Sequence, residues 1–474
     1  MFKKDTIAAI ATGMTGSGIG IVRISGEDAI SIADKVFVSK KDDPSGQRGR
    51  VSSFATHTIH YGCIYDNDEK IDEVLLTLMK GPGSYTGEDT VEINCHGGLY
   101  VCKRILETVL KYGARLAEPG EYTKRAFLNG RMDLSQAEAV MDLIASDNEF
   151  ARKNSLDQLS GSLYKKIKEM REDLLYEIAF IESAIDDPEH FDLEGYGEKL
   201  LFKTEKVRKK VAHMLLTADD GRIRKEGIKT VILGKPNAGK SSLLNMLSGT
   251  ERAIVTEIAG TTRDTLEESV RIGEYQLLLI DTAGIRESED KVEKIGIQRA
   301  LENAKDADLI LYVMDASVRP DENDQKIMEF LKENKKIRGN KSRLIILLNK
   351  SDLEEKTKME EIQKIFGKDQ TILSVSALEQ AGKDSLLEAL RDFYKDPSVK
   401  YNEEVIITNE RQKEELEGVI DSLDLVKNSI ESGLPEDFYS IDLMDAYKHL
   451  GNIIGEELED DLADEIFSRF CMGK

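Results

Sequence analysis

Residues 229–249 read KTVILGKPNAGKSSLLNMLSG. KTVILG is a short β-branched run, the composition of a buried strand. SSLLNMLSG carries apolar residues at helical spacing and stops at Gly249. Between them, Gly234-x-x-x-x-Gly239-Lys240-Ser241 fits the phosphate-loop pattern. Such a loop aims backbone N–H groups and a helix N-terminus at phosphate. Lys240 is expected to reach the β- and γ-phosphates, and the Ser241 hydroxyl to bind Mg²⁺.

Four further pieces follow in order: IAGTTRD (258–264), DTAG (281–284), NKSD (349–352) and SAL (376–378). Each is weak alone, but the ordered set reads as a GTP-hydrolysing G domain. Thr262 is the expected second Mg²⁺ ligand, on a loop ordered by the γ-phosphate. Asp281 closes the apolar strand YQLLLID and is expected to hold the Mg²⁺ water shell, with the Gly284 N–H sensing the γ-phosphate. Asp352 can accept two hydrogen bonds from the N1–H and N2–H₂ edge of guanine. Adenine offers no such pair. Ser376 and Ala377 are expected to supply a backbone contact to the base oxygen.

Two positions depart from a small GTPase. Ile285 follows DTAG where a water-orienting Gln often sits, and an apolar side chain cannot orient water. Asn237 puts a polar side chain inside the phosphate loop. Its oxygen, with switch-loop carbonyls, could hold a monovalent cation against the phosphates. That cation would replace an arginine finger, worth about 10³–10⁵ in rate.

A chain of 474 residues suggests about three domains. No apolar stretch is long enough for a membrane span. The start, MFKKDTIAAIATGMTG, reads as a first strand rather than a signal peptide. The cysteines, at 63, 95, 102 and 471, show neither CxxC pairing nor zinc spacing, so a cytoplasmic location fits. The net charge of −23 argues against broad, non-specific nucleic-acid binding. Local basic candidates remain: Lys111, Arg115, Lys124, Arg125 and Arg131 in one region, and VRKK (207–210) with RIRKEGIK (222–229) in another. A solvated helix face is the plainer reading of the second group.

Residues 1–120 read as strand-rich with some helix. TIAAIAT, GIGIVRIS, HTIHYGCIYD, DEVLLTLM and DTVEINC are strand candidates. GSGIG (16–20) lacks dinucleotide spacing and leads into a strand. From about 132 the pattern turns to long charged helices, over 121–220 and again over 396–474. The G domain fills 221–395 and reads as an insertion between helical stretches that pack together, because inserted domains need neighbouring entry and exit points.

Outside the G motifs, GPGSYTGEDTVEINCHGG (81–98), PGEYTKRAFLNGRMDLSQAEAV (119–140) and IFSRFCMGK (466–474) carry a resemblance. With IAGTTRD and DTAGIRESEDKVEKIGIQRA, they resemble the bacterial tRNA-modification GTPase family MnmE, also called TrmE, over nearly the whole chain. The resemblance implies an α+β N-terminal folate-binding domain, an α-helical domain and an inserted α/β phosphate-loop G domain. It implies a homodimer that works with the flavin-dependent partner MnmG/GidA. Together they install aminomethyl or carboxymethylaminomethyl groups at C5 of the wobble uridine of certain tRNAs. A reduced folate, of 5-formyl- or 5,10-methylene-tetrahydrofolate type, supplies the one-carbon unit, and GTP hydrolysis is K⁺-activated.

The family's folate contacts fall on Arg23, Glu92, Arg131 and Lys474. Its K⁺ ligands fall on Asn237, Thr256, Ile258 and Thr261, and its water-orienting acid on Glu293. Nucleotide contacts then extend over Asn237, Ala238, Gly239, Lys240, Ser241 and Ser242. They continue through Thr256, Glu257, Ile258, Ala259, Gly260, Thr261 and Thr262, then Asp281, Thr282, Ala283 and Gly284. Around the base they comprise Asn349, Lys350, Ser351, Asp352, Ser376, Ala377 and Leu378. Cys471 admits three readings: a prenylation box, which its Gly and terminal Lys fit poorly; a nucleophile that adds to uridine C6; or a small side chain positioning the tail. A ribosome-assembly GTPase is the competing function. Such proteins usually add a second G domain or a KH-like module, and neither is legible here.

Overall fold

The computed structural model describes residues 5–40, 50–146, 148–187, 190, 195–248, 268–273, 275–280, 301–305, 307–338, 343–394, 406–457, 466–468, 470 and 473. These residues form two compact units. One comprises 1–212 with 410–474, the other 213–409.

The first unit begins with a seven-stranded sheet. Its strands are β1 (Ile7–Ile10), β2 (Gly20–Ser25), β3 (Phe37–Ser39), β4 (Thr58–Asp66), β5 (Glu69–Met79), β6 (Thr90–Cys95) and β7 (Arg115–Leu116). The spatial order is β3-β4-β5-β6-β2-β1-β7. All pairs are antiparallel except β1 with β7. One face is closed by α1 (Ala29–Val36) and α2 (Leu99–Lys111) over Val22, Ile24, Leu76, Leu78, Val91 and Ile93. Alternation along β2 then sends Arg23 to the opposite face, directly across from Glu92 of β6.

After α3 (Glu121–Leu128), the unit becomes helical through α4 (Leu134–Ala145), α5 (Glu149–Leu159), α6 (Ser162–Asp186) and α7 (Tyr196–Glu226). Asp133 and Gln136 start α4 with a reciprocal capping box, satisfying two donors that a helix N-terminus otherwise leaves unpaired. The boundary between the units falls within α7.

The second unit holds a six-stranded sheet of β8 (Ile228–Leu233), β9 (Glu268–Ile272), β10 (Tyr275–Leu279), β11 (Leu309–Asp315), β12 (Arg343–Asn349) and β13 (Thr371–Ser374), in the order β13-β12-β11-β8-β10-β9. It is parallel apart from the antiparallel edge strand β9. All seven residues of β11 are buried, as expected where helices cover both faces of a parallel sheet. Its helices among the described residues include α8 (Lys240–Ser248), α9 (Glu322–Arg338), α10 (Met359–Phe366) and α11 (Lys383–Phe393).

The chain then returns to the first unit through α12 (Glu410–Glu431) and α13 (Glu436–Ile454). Arg411 on α12 donates to both oxygens of Glu138 on α4, at 2.8 and 3.0 Å, and Gln412 adds a bond at 2.7 Å. Arg171 on α6 pairs with Glu456 at 2.6 Å and lies 4.0 Å from the Tyr447 ring centre. Ion pairs between segments nearly 300 residues apart, each with at least one buried member, join the helices on either side of the inserted sheet.

Candidate functional site

The phosphate loop leaves the C-terminal end of β8. That strand lies between β10 on one side and β11 on the other, where the connections change direction and α/β sheets open a ligand crevice. Gly234 runs tight under β11: a Cβ there would stand 2.5 Å from the Val313 carbonyl. A Cβ on Gly239 would collide with the Asn349 amide. The loop therefore needs these glycines for backbone approach. Asn237 is exposed at φ 58°, a left-handed conformation that Asn tolerates better than most residues. Lys240 turns its ammonium onto the loop, donating to the carbonyls of Gly234 at 2.7 Å and Lys235 at 2.9 Å. Ser241 and Ser242 follow, exposed, in the first turn of α8. Glycine backbone, an ammonium and exposed hydroxyls at a helix start suit a polyphosphate with its Mg²⁺.

Asn349 ties three motifs together. Its side chain is buried; Nδ2 donates to the Ala238 carbonyl at 2.8 Å, and Oδ1 accepts from the Ala377 N–H at 3.0 Å. Lys350, at φ 65°, reaches Asp315 at 2.5 Å. Burial opposes ionisation of Asp315, yet the bonds from Lys350 and Ser317 outweigh it and hold its pKa below the ordinary value. Ser351 N–H bonds the Val375 carbonyl at 3.1 Å. Exposed Asp352 accepts from the Ser376 hydroxyl at 2.5 Å, which aims the carboxylate that would read the base. Leu378 is exposed.

Asp315 was not legible as part of this site. The signal lay in its register: it closes β11 directly opposite Asn349 of β12. Lys235, inside the loop, is likewise anchored, to Asp324 at 2.7 Å and Asp321 at 3.0 Å.

The second candidate site lies on the first sheet. Arg23 Nε donates to Glu92 Oε1 at 2.8 Å, and its guanidinium donates to the Gly473 carbonyl at 3.2 Å. It sits 5.8 Å from the Tyr85 ring centre and 5.5 Å from that of Tyr122. The Tyr122 hydroxyl donates to the Arg23 carbonyl at 2.9 Å. The Arg23 bond falls on Oε1 of Glu92; Oε2 has no donor among the described residues. Arg131 is exposed and makes no hydrogen bond or ion pair with either member of this pair. Tyr85 and Tyr122 lie inside the motifs quoted above, but nothing in their spacing ties them to Arg23.

In the basic region read as a local nucleic-acid candidate, Lys111, Arg115 and Arg125 are paired with carboxylates, while Arg131 is exposed. Arg115 and Arg125 bind Asp5, Glu121 and Glu88, while Lys111 pairs with Asp66 at 2.7 Å. The Arg115 hydrogen bond, against burial and with help from Arg125, lowers the Asp5 pKa to about 2.

Thr256, Glu257, Ile258, Ala259, Gly260, Thr261, Thr262, Asp281, Thr282, Ala283, Gly284, Glu293, Cys471 and Lys474 lie outside the described residues. Among the described residues, no helix is long and apolar enough to cross a membrane.

Two family models match the chain: the MnmE helical domain over residues 134–471 and the GTP-binding protein TrmE N-terminus over residues 6–131. The chain belongs to the MnmE (TrmE) family. The relative named tRNA modification GTPase MnmE in Lachnoclostridium phytofermentans is 51% identical over 472 residues, covering 100% of each chain. MnmE relatives of the same name in Clostridioides difficile and Alkaliphilus oremlandii are 46% and 47% identical, again over 100% of each chain. MnmE kinship thus extends through the N-terminal sheet and the helices as well as the inserted G unit.

Proposed function

We propose that this chain is a GTP hydrolase of tRNA modification, the GTPase half of a complex that adds an aminomethyl-type group at C5 of the wobble uridine. The observation that carries the reading is end-to-end kinship with relatives named tRNA modification GTPase. A ribosome-assembly GTPase is not favoured by that kinship.

In the inserted unit, bound GTP would supply a phosphoanhydride bond for hydrolysis. Lys240 and the loop backbone would balance the phosphate charge. Ser241 with Thr262 would hold Mg²⁺, and Asp352 would select guanine. Asn237, Thr256, Ile258 and Thr261 would hold K⁺, and Glu293 would orient water.

In the N-terminal unit, Arg23, Glu92, Arg131 and Lys474 would hold a reduced folate. Glu92 suits the amide and amino edge of a pterin, and the cationic side chains suit the carboxylates of the folate tail. What supports this is the pairing of Arg23 with Glu92 and the approach of the tail carbonyl of Gly473 to Arg23. A homodimer, a flavin-dependent partner protein and a cytoplasmic setting complete the reading.

The test is mass spectrometry of tRNA nucleosides from host cells with the gene deleted and restored. Loss of a C5-aminomethyl-type uridine that returns on complementation is the expected result. An unchanged nucleoside profile would overturn the reading.

A further inference from the structure

We propose that one face of α7 docks the unpaired loop of the RNA substrate; this rests on the tRNA-modification reading above. Lys199, Phe202, Lys203, Lys206, Lys209 and Lys210 are all exposed. At 100° per residue they fall within an arc of about 120°. Leu200, Thr204, Val207 and Val211 are buried on the other side, and Glu198 and Glu205 fall outside the arc. The face is therefore a row of five lysines around one phenyl ring, on a chain whose net charge is −23.

The lysines are not all consumed by the protein. Lys203 pairs with Glu177 at 2.5 Å, while Lys209 and Lys210 stand 3.8 Å from Glu205 and Asp173. Lys199 and Lys206 have no acidic partner among the described residues. Phe202 is 77% exposed and Tyr176 of α6 is 65% exposed. The two rings line one groove of about 420 Å³, with Lys203 and Lys206 at its edge. Lys203 Nζ lies 5.1 Å from the Tyr176 ring centre.

This chemistry fits one class of partner. A duplex stacks its bases inward and has no use for exposed rings. An unpaired RNA loop offers phosphates to lysines and base faces to aromatics. Glu172 and Asp173 on the α6 wall would repel phosphate, leaving that side of the groove to bases and the solvent side of α7 to the backbone. The wobble base itself lies in such a loop.

The test measures binding of a fluorescently labelled anticodon stem-loop RNA by the full-length protein across a salt series. Lys199→Gln with Lys206→Gln is expected to weaken binding and to lower the slope of log affinity against log salt by about 1 per lysine. Phe202→Ala is expected to weaken binding about tenfold with the slope unchanged, through loss of stacking. Phe202→Tyr keeps a stacking ring and is expected to bind as wild type. GTP hydrolysis and melting temperature are expected to stay at wild-type values in all variants. Wild-type affinity and slope in the Gln and Ala variants would overturn the proposal, as would a wild-type protein that does not bind the RNA. Lost modification in cells with unchanged RNA binding would make this face a protein-docking surface and overturn the proposal equally. Failure of the tRNA-modification reading itself would show separately, as an unchanged nucleoside profile in the gene deletion.

Discussion

Arg23 and Gly473, 450 positions apart, meet through a hydrogen bond of 3.2 Å from the guanidinium to the glycine carbonyl. The same guanidinium holds Glu92 at 2.8 Å. The tail thus closes onto the strand pair that carries the candidate folate carboxylate. Arg23→Lys keeps a charge but loses the planar fork that serves both partners. We expect it to lower modification and leave GTP hydrolysis unchanged, measured as tRNA nucleosides and phosphate release. A variant with wild-type nucleosides would remove Arg23 from the site.

Asp352 would read the base through two accepted hydrogen bonds in the proposed GTP site. Asp352→Asn replaces an acceptor with a donor. Each bond to a charged group is worth about 1.5–3 kcal/mol, so GTP affinity is expected to fall roughly 10²-fold or more. Xanthine, which carries a carbonyl where guanine has its amino group, is expected to bind the variant better. Nucleotide titration checks both statements.

Asn237 combines a left-handed backbone with an amide oxygen at the loop. Asn237→Gly keeps the backbone easy and removes only the side chain. Wild type is expected to hydrolyse GTP faster in K⁺ than in Na⁺ at equal ionic strength, and the glycine variant to lose that difference while still binding GTP. Equal wild-type rates in the two salts would end the cation role.

Glu138 answers Arg411 across the inserted segment, and both side chains are largely buried. Glu138→Ala removes the carboxylate beside that guanidinium, and breaking a buried pair from one side costs about 3–5 kcal/mol. Chemical denaturation followed by helical signal is expected to show a lower midpoint, with Glu138→Gln intermediate.

Asp5 carries a pKa lowered to about 2 from 3.8, chiefly by the Arg115 hydrogen bond. A depressed carboxylate stabilises the fold above its unfolded pKa, and that contribution is lost as pH falls toward the folded value. Asp5→Asn is therefore expected to lower the melting temperature at neutral pH. Its effect should shrink between pH 3.8 and about 2.

Much of the G unit was legible because its motifs are contiguous, and the phosphate loop lies between a strand and a helix. What joins them was not. Asn349 reaches Ala238, 111 positions away, and a pattern of short motifs carries no such distance. The longer strands of the first sheet announce themselves by alternation, whereas β3 and β7, of three and two residues, are too short to show a period. The pairing inside the basic cluster was hidden for a related reason: Asp5, 110 positions from Arg115, meets it in space rather than in sequence. Lys199, Lys203 and Lys206 drew no reading in sequence, because the exposure of Phe202 and Tyr176 beside them is visible only in the fold.

In the proposed function, one-carbon chemistry and GTP hydrolysis occupy separate sites in one chain. The most direct measurement is made on Glu92→Gln: GTPase rate of the purified protein, and tRNA nucleosides from a deletion strain carrying the variant. Separate sites require a wild-type GTPase rate with loss of the modified uridine. Loss of both activities, or retention of the modified uridine, would contradict that separation.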